Sequence, residues 1–375
     1  PAYAIASCLV GSEMCIRDRL IMVRPVRIYS QTDCPPIDKF GKAIFPIAEE
    51  RMKERFPEIR RSLPTLSEYT DREITMIMRS MGNNYYWKHD KPIEPSKVGV
   101  LILAHGVNGP GDQLLYESMK PLAQQHSTSI AYGMSMMTSG HISCALQEIQ
   151  QEGVERIYVV PLSESPYNTL IRQWRYAFDL EENYSYADIS QIKSDNIKFL
   201  EPINDHHFAR EIVYDFAMQV STNPAEETVV LVAHGPIDPA DNSKQLGLMT
   251  NISEHVQRKG RFYDVIPLSL QDDASPEVRA DNVKRLREII EVNTANNRRV
   301  LIVTNLMSSD VIQTRVVRDL KGLTYTFNTN GIGFKNKSFI LRFYLYFVFS
   351  SRRYLWICNW IFFFPKRLMS YTFNK

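Results

Sequence analysis

Two histidines close apolar runs that repeat one another. Residues 98–112 read VGVLILAHGVNGPGD, and residues 228–242 read TVVLVAHGPIDPADN. Each run passes into Ala-His-Gly and then reaches a Pro and an Asp at matching places: His105 with Pro110 and Asp112, His234 with Pro239 and Asp241. A neutral imidazole is a ligand for divalent iron, cobalt, nickel or zinc. It is also a base near neutral pH. A glycine after the histidine leaves room beside the ring for something bulky. Either histidine alone could simply cap its strand with a hydrogen bond; the repetition argues for chemistry.

Other patterns carry less. Gly106, Gly109 and Gly111 form a glycine-rich turn, but the spacing is not GxGxxG and no GK[ST] follows, so no nucleotide site is expected. Ala104 and Ala233 stand where an Arg-His-Gly phosphatase would place its arginine. Asp205, His206 and His207 invite a metal reading, but they lie where a helix begins, and Asp205 is expected as its N-cap.

The elements that must position the histidines follow an alternating order. From residue 98 the pattern runs strand, helix, strand, helix through four strands: VGVLILA, TSIAYGMSM, ERIYVVPLS and NIKFLEPI. From 228 it restarts with TVVLVA, FYDVIPLSL, RRVLIVTNL and a short LTYTFN. Continuous apolar strands separated by amphipathic helices predict parallel sheets with helices on both faces. Ligands of such sheets bind beyond the carboxyl ends of the strands, where both histidines fall. The division expected is a helical leader at 22–95, a first lobe at 96–222 and a second at 223–332. In the leader, TDREITMIMRSMG predicts a helix opened by a capping box of Thr70 and Glu73 and closed by Gly82. KAIFPIAEERMKERFPEIRRSL reads as helix interrupted at Pro57, and NNYYWKHDKP as a connecting loop.

Both ends differ from this core. CLVGSEMCIRDR near the start resembles a translated sequencing adapter, so residues 1–21 are expected to be an artefact, with Met22 as the start. Residues 334–375 hold no Asp or Glu, and about a third are aromatic. Their apolar runs are shorter than the roughly 20 residues a membrane span requires. The segment 333–375 is read as an out-of-frame tail, with a short aromatic membrane anchor as the alternative. Between the ends the net charge is about −6, and no basic patch suggests nucleic acid or an anionic membrane as a partner. Only Cys34 and Cys144 lie in this core. They make no disulfide framework and no CxxC pair, so a reducing cytoplasm is the expected setting.

The two Ala-His-Gly strand ends, VVPLSESPYNTLIRQ, EPINDHHFAREI and VVLVAHGPIDPADN together resemble the sirohydrochlorin chelatase family, the CbiX/SirB-like class II chelatases. The resemblance covers about residues 96–332. It implies two tandem flavodoxin-like, chelatase-like lobes facing a cleft. It also implies insertion of Co2+ or Fe2+ into a tetrapyrrole of the siroheme or cobalamin type, without ATP or other nucleotide. The metal is then a substrate, the tetrapyrrole the partner, and the family's metal-bearing histidine falls on His105. The chain departs from the family in two places. Tyr167 stands where a second histidine is expected, and Met134, Met136 and Met137 replace an acidic residue near the end of the second strand. Glu164 or Tyr167 would take over as auxiliary ligands, with His234 across the cleft, and Tyr167, Asn168 and Met134 would contact substrate. His141 lies close by in sequence, with a capping or surface role expected from its place at a helix start. The lost ligands keep a second reading open, a carrier or sensor that binds metal or tetrapyrrole without turnover. A phosphate-ester hydrolase is a more distant third.

Overall fold

A computed structural model describes residues 34–46, 53–106, 109–133, 138–307 and 311–332. Met134, the artefact expected at 1–21 and the tail from 333 lie outside the described residues. Two sheets organise the chain. In the first lobe, β3 (Val98–Ala104) is flanked by β4 (Ser127–Tyr132) and β5 (Arg156–Pro161), and β6 (Ile197–Phe199) lies beyond β5, all parallel. In the second, β7 (Glu227–Ala233) lies between β8 (Asp264–Ser269) and β9 (Arg299–Thr304), with β10 (Thr326–Phe327) outermost, again all parallel. Counted from the first strand of each lobe, both have the order second-first-third-fourth, so the repeat of the sequence is a repeat of topology.

Burial explains the unbroken apolar runs. In β3, Val100, Ile102 and Ala104 enter one cluster while Leu101 and Leu103 enter another across the sheet. Successive side chains of a strand point to opposite faces, so a strand covered on both sides needs apolar residues throughout. Helices α3 (Pro110–Ala123) and α6 (His207–Val220) cover one face of the first sheet; α4 (Gly140–Gln150) and α5 (Thr169–Ala177) cover the other. In the second lobe α7 (Pro239–Gly260) packs on the face toward the first lobe, and α8 (Pro276–Ala295) and α9 (Val311–Asp319) cover the far face. Phe216 and Ala217 of α6 share a core with Val100 of the first sheet and with Val229, Leu231 and Met249 of the second lobe. The two lobes are therefore joined by continuous apolar packing.

The leader corrects two expectations. Residues 84–88, read as a loop, form strand β2 (Asn84–Lys88), which pairs antiparallel with β4 and with β1 (Lys42–Phe45). The region 22–95 is therefore not wholly helical; it adds two strands to the first sheet. Tyr85, Tyr86 and Trp87 are all buried there, which rewards aromatic residues in a strand. Residues 42–45, read as helix, form β1, and a turn at 54–55 parts helical Lys53 from the next helix, so the break falls just before Pro57. Pro57 lies in the first turn of α1 (Phe56–Ser62), where its missing N–H costs nothing.

Helix α2 (Asp71–Met81) forms as its signals predict. The Thr70 hydroxyl accepts from the Glu73 N–H, the Glu73 carboxylate accepts from the Thr70 N–H, and Gly82 ends the helix at φ 76°. Ile74 and Met78 are buried with Phe56, Ile59 and Leu66. Thr70→Ala is expected to cost about 1 kcal/mol, the usual loss for an N-cap. Urea unfolding of the two proteins checks it; an unchanged midpoint would deny the box any role.

The cysteines overturn a further expectation. Cys34 and Cys144 are joined in a disulfide with a Cα–Cα separation of 5.8 Å. Their separation of 110 residues hid the pairing, which arises because the segment entering β1 packs beside α4. The bond withdraws the cysteine argument for a reducing compartment. Among the described residues no helix is long and apolar enough to cross a membrane.

Candidate functional site

The site is built at the carboxyl ends of the two central strands. In each lobe the two strands that follow the first lie on opposite sides of it, the topological switch point where open α/β sheets place ligands. His105 follows β3 at this point, and His234 follows β7. The backbone then turns sharply: Gly106 has φ +70° and Gly235 φ +81°, a region that favours glycine. Space requires glycine too. A Cβ on Gly106 would meet Tyr132 Cβ at 3.0 Å, and one on Gly235 would meet Ser269 Oγ at 1.8 Å.

This turn aims the imidazoles in the same way. His105 Nδ1 lies 2.6 Å from the carbonyl oxygen of Gly106, and His234 Nδ1 lies 2.9 Å from that of Gly235. A carbonyl accepts only, so both Nδ1 atoms donate. A neutral ring then carries its lone pair on Nε2, the arrangement seen when a second hydrogen bond orients a metal-binding imidazole. The paired aspartates anchor the helices that follow. Asp112, buried in the first turn of α3, accepts from Tyr85 Oη at 2.6 Å, and its backbone carbonyl accepts from Tyr132 Oη at 2.8 Å. Asp241, buried in the first turn of α7, accepts from Arg172 across the lobe junction at 2.6 Å and from Lys244 at 3.1 Å.

The two rings are not electrostatically equivalent. His105 has solvent-exposed surface yet is closely surrounded by protein. Loss of hydration there pushes its pKa below the usual histidine value, and the charge of His234 acts the same way; Gly106 carbonyl, Asp273 and Asp112 oppose them. For His234 the shift is upward. Burial is again the largest single influence and opposes the charge. Asp273, Asp272, the Gly235 carbonyl and Glu164 together outweigh it. His234 Nε2 lies 3.5 Å from Asp273 Oδ2.

The residues singled out by sequence fall into groups. His105, His234 and Glu164 lie within electrostatic range of one another through His234. The buried Glu164 carboxylate accepts from Asn168 Nδ2 at 3.0 Å and from Ser163 Oγ at 3.3 Å. Asn168 also caps α5, its Oδ1 accepting from Leu170 N–H at 2.8 Å. Tyr167 is half-buried at the lobe junction, with Lys244 Nζ 5.4 Å from its ring centroid. Among the described residues no group of three or more His, Cys, Asp or Glu side chains forms a cage for a resident metal.

Two sequence readings are overturned. His141 is neither a cap nor a surface residue. It is fully buried, with Phe45 of β1 at 6.1 Å between ring centroids, and neither ring nitrogen has a hydrogen-bond partner. Burial lowers its pKa to about 3, so it packs as a neutral ring. The leader strand that covers it could not be foreseen from the helix alone. Asp205 is not the N-cap of α6; His206 is, with its Nδ1 toward Phe208 N–H at 3.4 Å. Asp205 instead accepts from Arg210 at 2.9 Å and from Asn251 of the second lobe at 2.8 Å.

Sequence reasoning missed Asp272 and Asp273. Asp272 is buried, accepts from Arg279 at 2.7 Å and pairs with Arg315, and its N–H donates to the His234 carbonyl at 3.1 Å. The adjacent Asp273 faces His234 and also raises the pKa of the buried Tyr186 phenol, behind burial itself. The signal available was only their place at the end of a second strand.

No family model matches the chain, and no curated protein matches it. Solved structures do. SirB from Bacillus subtilis with Fe3+ is 18% identical over 68% of this chain and 98% of that chain, with a TM-score of 0.49. DR2241 from Deinococcus radiodurans is described as a multi-domain protein with structural similarity to chelatases and two additional novel domains. It is 12% identical over 65% of this chain and 53% of its own, with a TM-score of 0.38. A protein from Mycobacterium smegmatis is 11% identical over 60% of this chain and 67% of its own, with a TM-score of 0.27. The chain is similar to each at low identity, and its own strand order defines its fold: two α/β lobes of parallel sheet flanked by helices.

Proposed function

We propose that the protein is an ATP-independent chelatase that inserts a divalent metal, Co2+ or Fe2+, into a tetrapyrrole such as sirohydrochlorin. The observation that carries this reading is the His105 ring at a switch point. Its Nδ1–H is committed to the Gly106 carbonyl at 2.6 Å, and its Nε2 has no hydrogen-bond partner among the described residues. A ring so held is neutral and offers one lone pair to a metal. His234, on the other lobe, is near enough to act electrostatically on it, and the motifs on both sides resemble those of sirohydrochlorin chelatases.

The chemistry asks for little else. A free macrocycle exchanges two pyrrole N–H protons for one divalent cation, so the site must deliver the cation and let the protons leave. His105 Nε2 would hold the metal. Glu164 and Asp273 would place negative charge near it, favouring a cation and accepting protons toward solvent. Tyr167 and Asn168, on the loop before α5, would line the macrocycle's edge. Weak single-imidazole ligation suits a metal that is cargo.

The test uses the purified full-length chain with sirohydrochlorin and either Co2+ or Fe2+, following the absorbance change of metallation without nucleotide. Acceleration over the protein-free rate is expected. The carrier or sensor reading is favoured by one observation, the absence of a multi-ligand metal cage among the described residues. Stoichiometric binding with no acceleration would select it.

A further inference from the structure

The two motif aspartates differ in what they hold. Asp112 of the first lobe accepts from a neutral phenol, Tyr85 Oη at 2.6 Å. Asp241 of the second accepts from two cations, Arg172 Nη1 at 2.6 Å and Lys244 Nζ at 3.1 Å. The Asp241 side chain is 10% exposed, whereas that of Arg172 is 42% and that of Lys244 57% exposed. One buried negative charge thus stands against two exposed positive ones. A guanidinium and an ammonium each carry several N–H donors. Among the described residues Asp241 is the one acceptor that either head engages, so donors of both are left toward solvent.

These cations stand beside the proposed site. Arg172 lies one turn along α5 from Asn168, which donates to the Glu164 carboxylate at 3.0 Å. Thr169 Oγ1, in the first turn of α5, is 3.5 Å from the backbone nitrogen of Ile237, in the loop that leaves His234. Lys244, on α7, has its Nζ 5.4 Å from the ring centroid of Tyr167. Arg172 belongs to the first lobe and Lys244 to the second, so the pair spans the junction. Nearer the histidines the sign reverses. Asp273 and Glu164 both act on His234, whereas Asp272 is balanced by Arg279 and Arg315.

We propose that Arg172 and Lys244 are specificity-determining residues that bind carboxylate side chains on the rim of the tetrapyrrole. The macrocycle is thereby selected for acetate and propionate groups. Its carboxylates are drawn to this edge and repelled by Glu164 and Asp273, and that difference sets its rotation over the site. Asp241 holds the two heads side by side, and the arginine fork suits a carboxylate in particular.

The inference rests on the proposed function for its ligand, and equilibrium binding without metal tests it apart from turnover. The probes are sirohydrochlorin, which carries an acetate and a propionate on every pyrrole, and its full methyl ester, the same macrocycle with those charges masked. Fluorescence titrations of the full-length chain use one aqueous dimethyl sulfoxide buffer for both. Arg172→Gln and Lys244→Gln are each expected to weaken sirohydrochlorin binding roughly tenfold, the loss of one charged hydrogen bond. Ester binding and Co2+ affinity are expected to hold, and Arg172→Lys is expected to recover part of the loss. Lys97→Gln, which removes an equal charge beside Glu155 at the amino end of β3, is expected to leave sirohydrochlorin binding unchanged. A merely structural tie between the lobes would lower the urea midpoint and weaken acid and ester alike. That result, or variants that bind sirohydrochlorin as wild type does, would overturn the proposal and leave the chelatase reading to its own test. Charge-dependent binding in a protein that accelerates no metallation would remove the chelatase reading and leave Arg172 and Lys244 assigned.

Discussion

His105→Ala is expected to lower the metallation rate by about two orders of magnitude, within the range lost when a positioned acid, base or ligand is removed. The expectation follows from atoms. Among the described residues His105 presents an imidazole whose Nδ1 is committed and whose Nε2 is open at a sheet switch point. Alanine leaves His234 alone, a ring whose Nδ1 is committed to the Gly235 carbonyl and whose Nε2 lies 3.5 Å from the Asp273 carboxylate. Co2+ affinity is expected to fall with the rate. A suitable control is His255→Gln, since His255 pairs with Glu211 at 2.9 Å on the outer packing of α6 and α7, away from the cleft. Initial rates measured side by side decide the matter: an unchanged rate in the alanine variant removes His105 from the mechanism.

Gly235→Ala is expected to destabilise the protein by about 3 kcal/mol, and Gly153→Ala by about 1 kcal/mol. Both glycines have positive φ, +81° and +75°. Both substitutions therefore incur the left-handed strain of an L-residue. The surroundings differ. A Cβ at Gly153 meets nothing within 4 Å, whereas one at Gly235 lies 1.8 Å from Ser269 Oγ and 3.0 Å from the Gln271 backbone nitrogen. The serine hydroxyl can rotate away, but the backbone nitrogen belongs to the loop that carries Asp272 and Asp273. Relief of that contact must displace the loop, so activity is expected to fall as well. Urea midpoints of the two variants separate the contributions; equal losses would mean that conformation, not crowding, decides the cost.

Much of the architecture was legible because it is written locally. The β3 and β7 runs are apolar at every position, their repeated Ala-His-Gly marks a duplication, and the Thr70–Glu73 box starts a helix where both residues stand. What escaped reading depends on partners distant in the chain. The strand at Tyr85 to Trp87 is bracketed by Asn, Lys, His and Asp, which read as loop; it becomes a strand because β4 offers a free edge. His141 looked like a surface residue until β1 covered it with Phe45. The Cys34–Cys144 bond joins segments whose proximity only the tertiary fold creates. The site divides the same way. Each histidine was visible from its own motif, whereas the inequality between them resides in Asp273, contributed by the neighbouring strand.

The bond from Thr65 N–H to the Asp273 carbonyl links an early part of the chain to a late one. A ribosome releases the turn at Pro64–Leu66 long before its seat in the second lobe exists. Phe56, Ile59 and Ile74 can bury themselves first on Tyr186 and only 51 residues later on Ile237, with Asp273 later still. The nascent chain therefore carries a half-covered oily surface through most of its synthesis, the kind of exposure that invites chaperones and aggregation. Expression yield at elevated temperature is the property most sensitive to that interval.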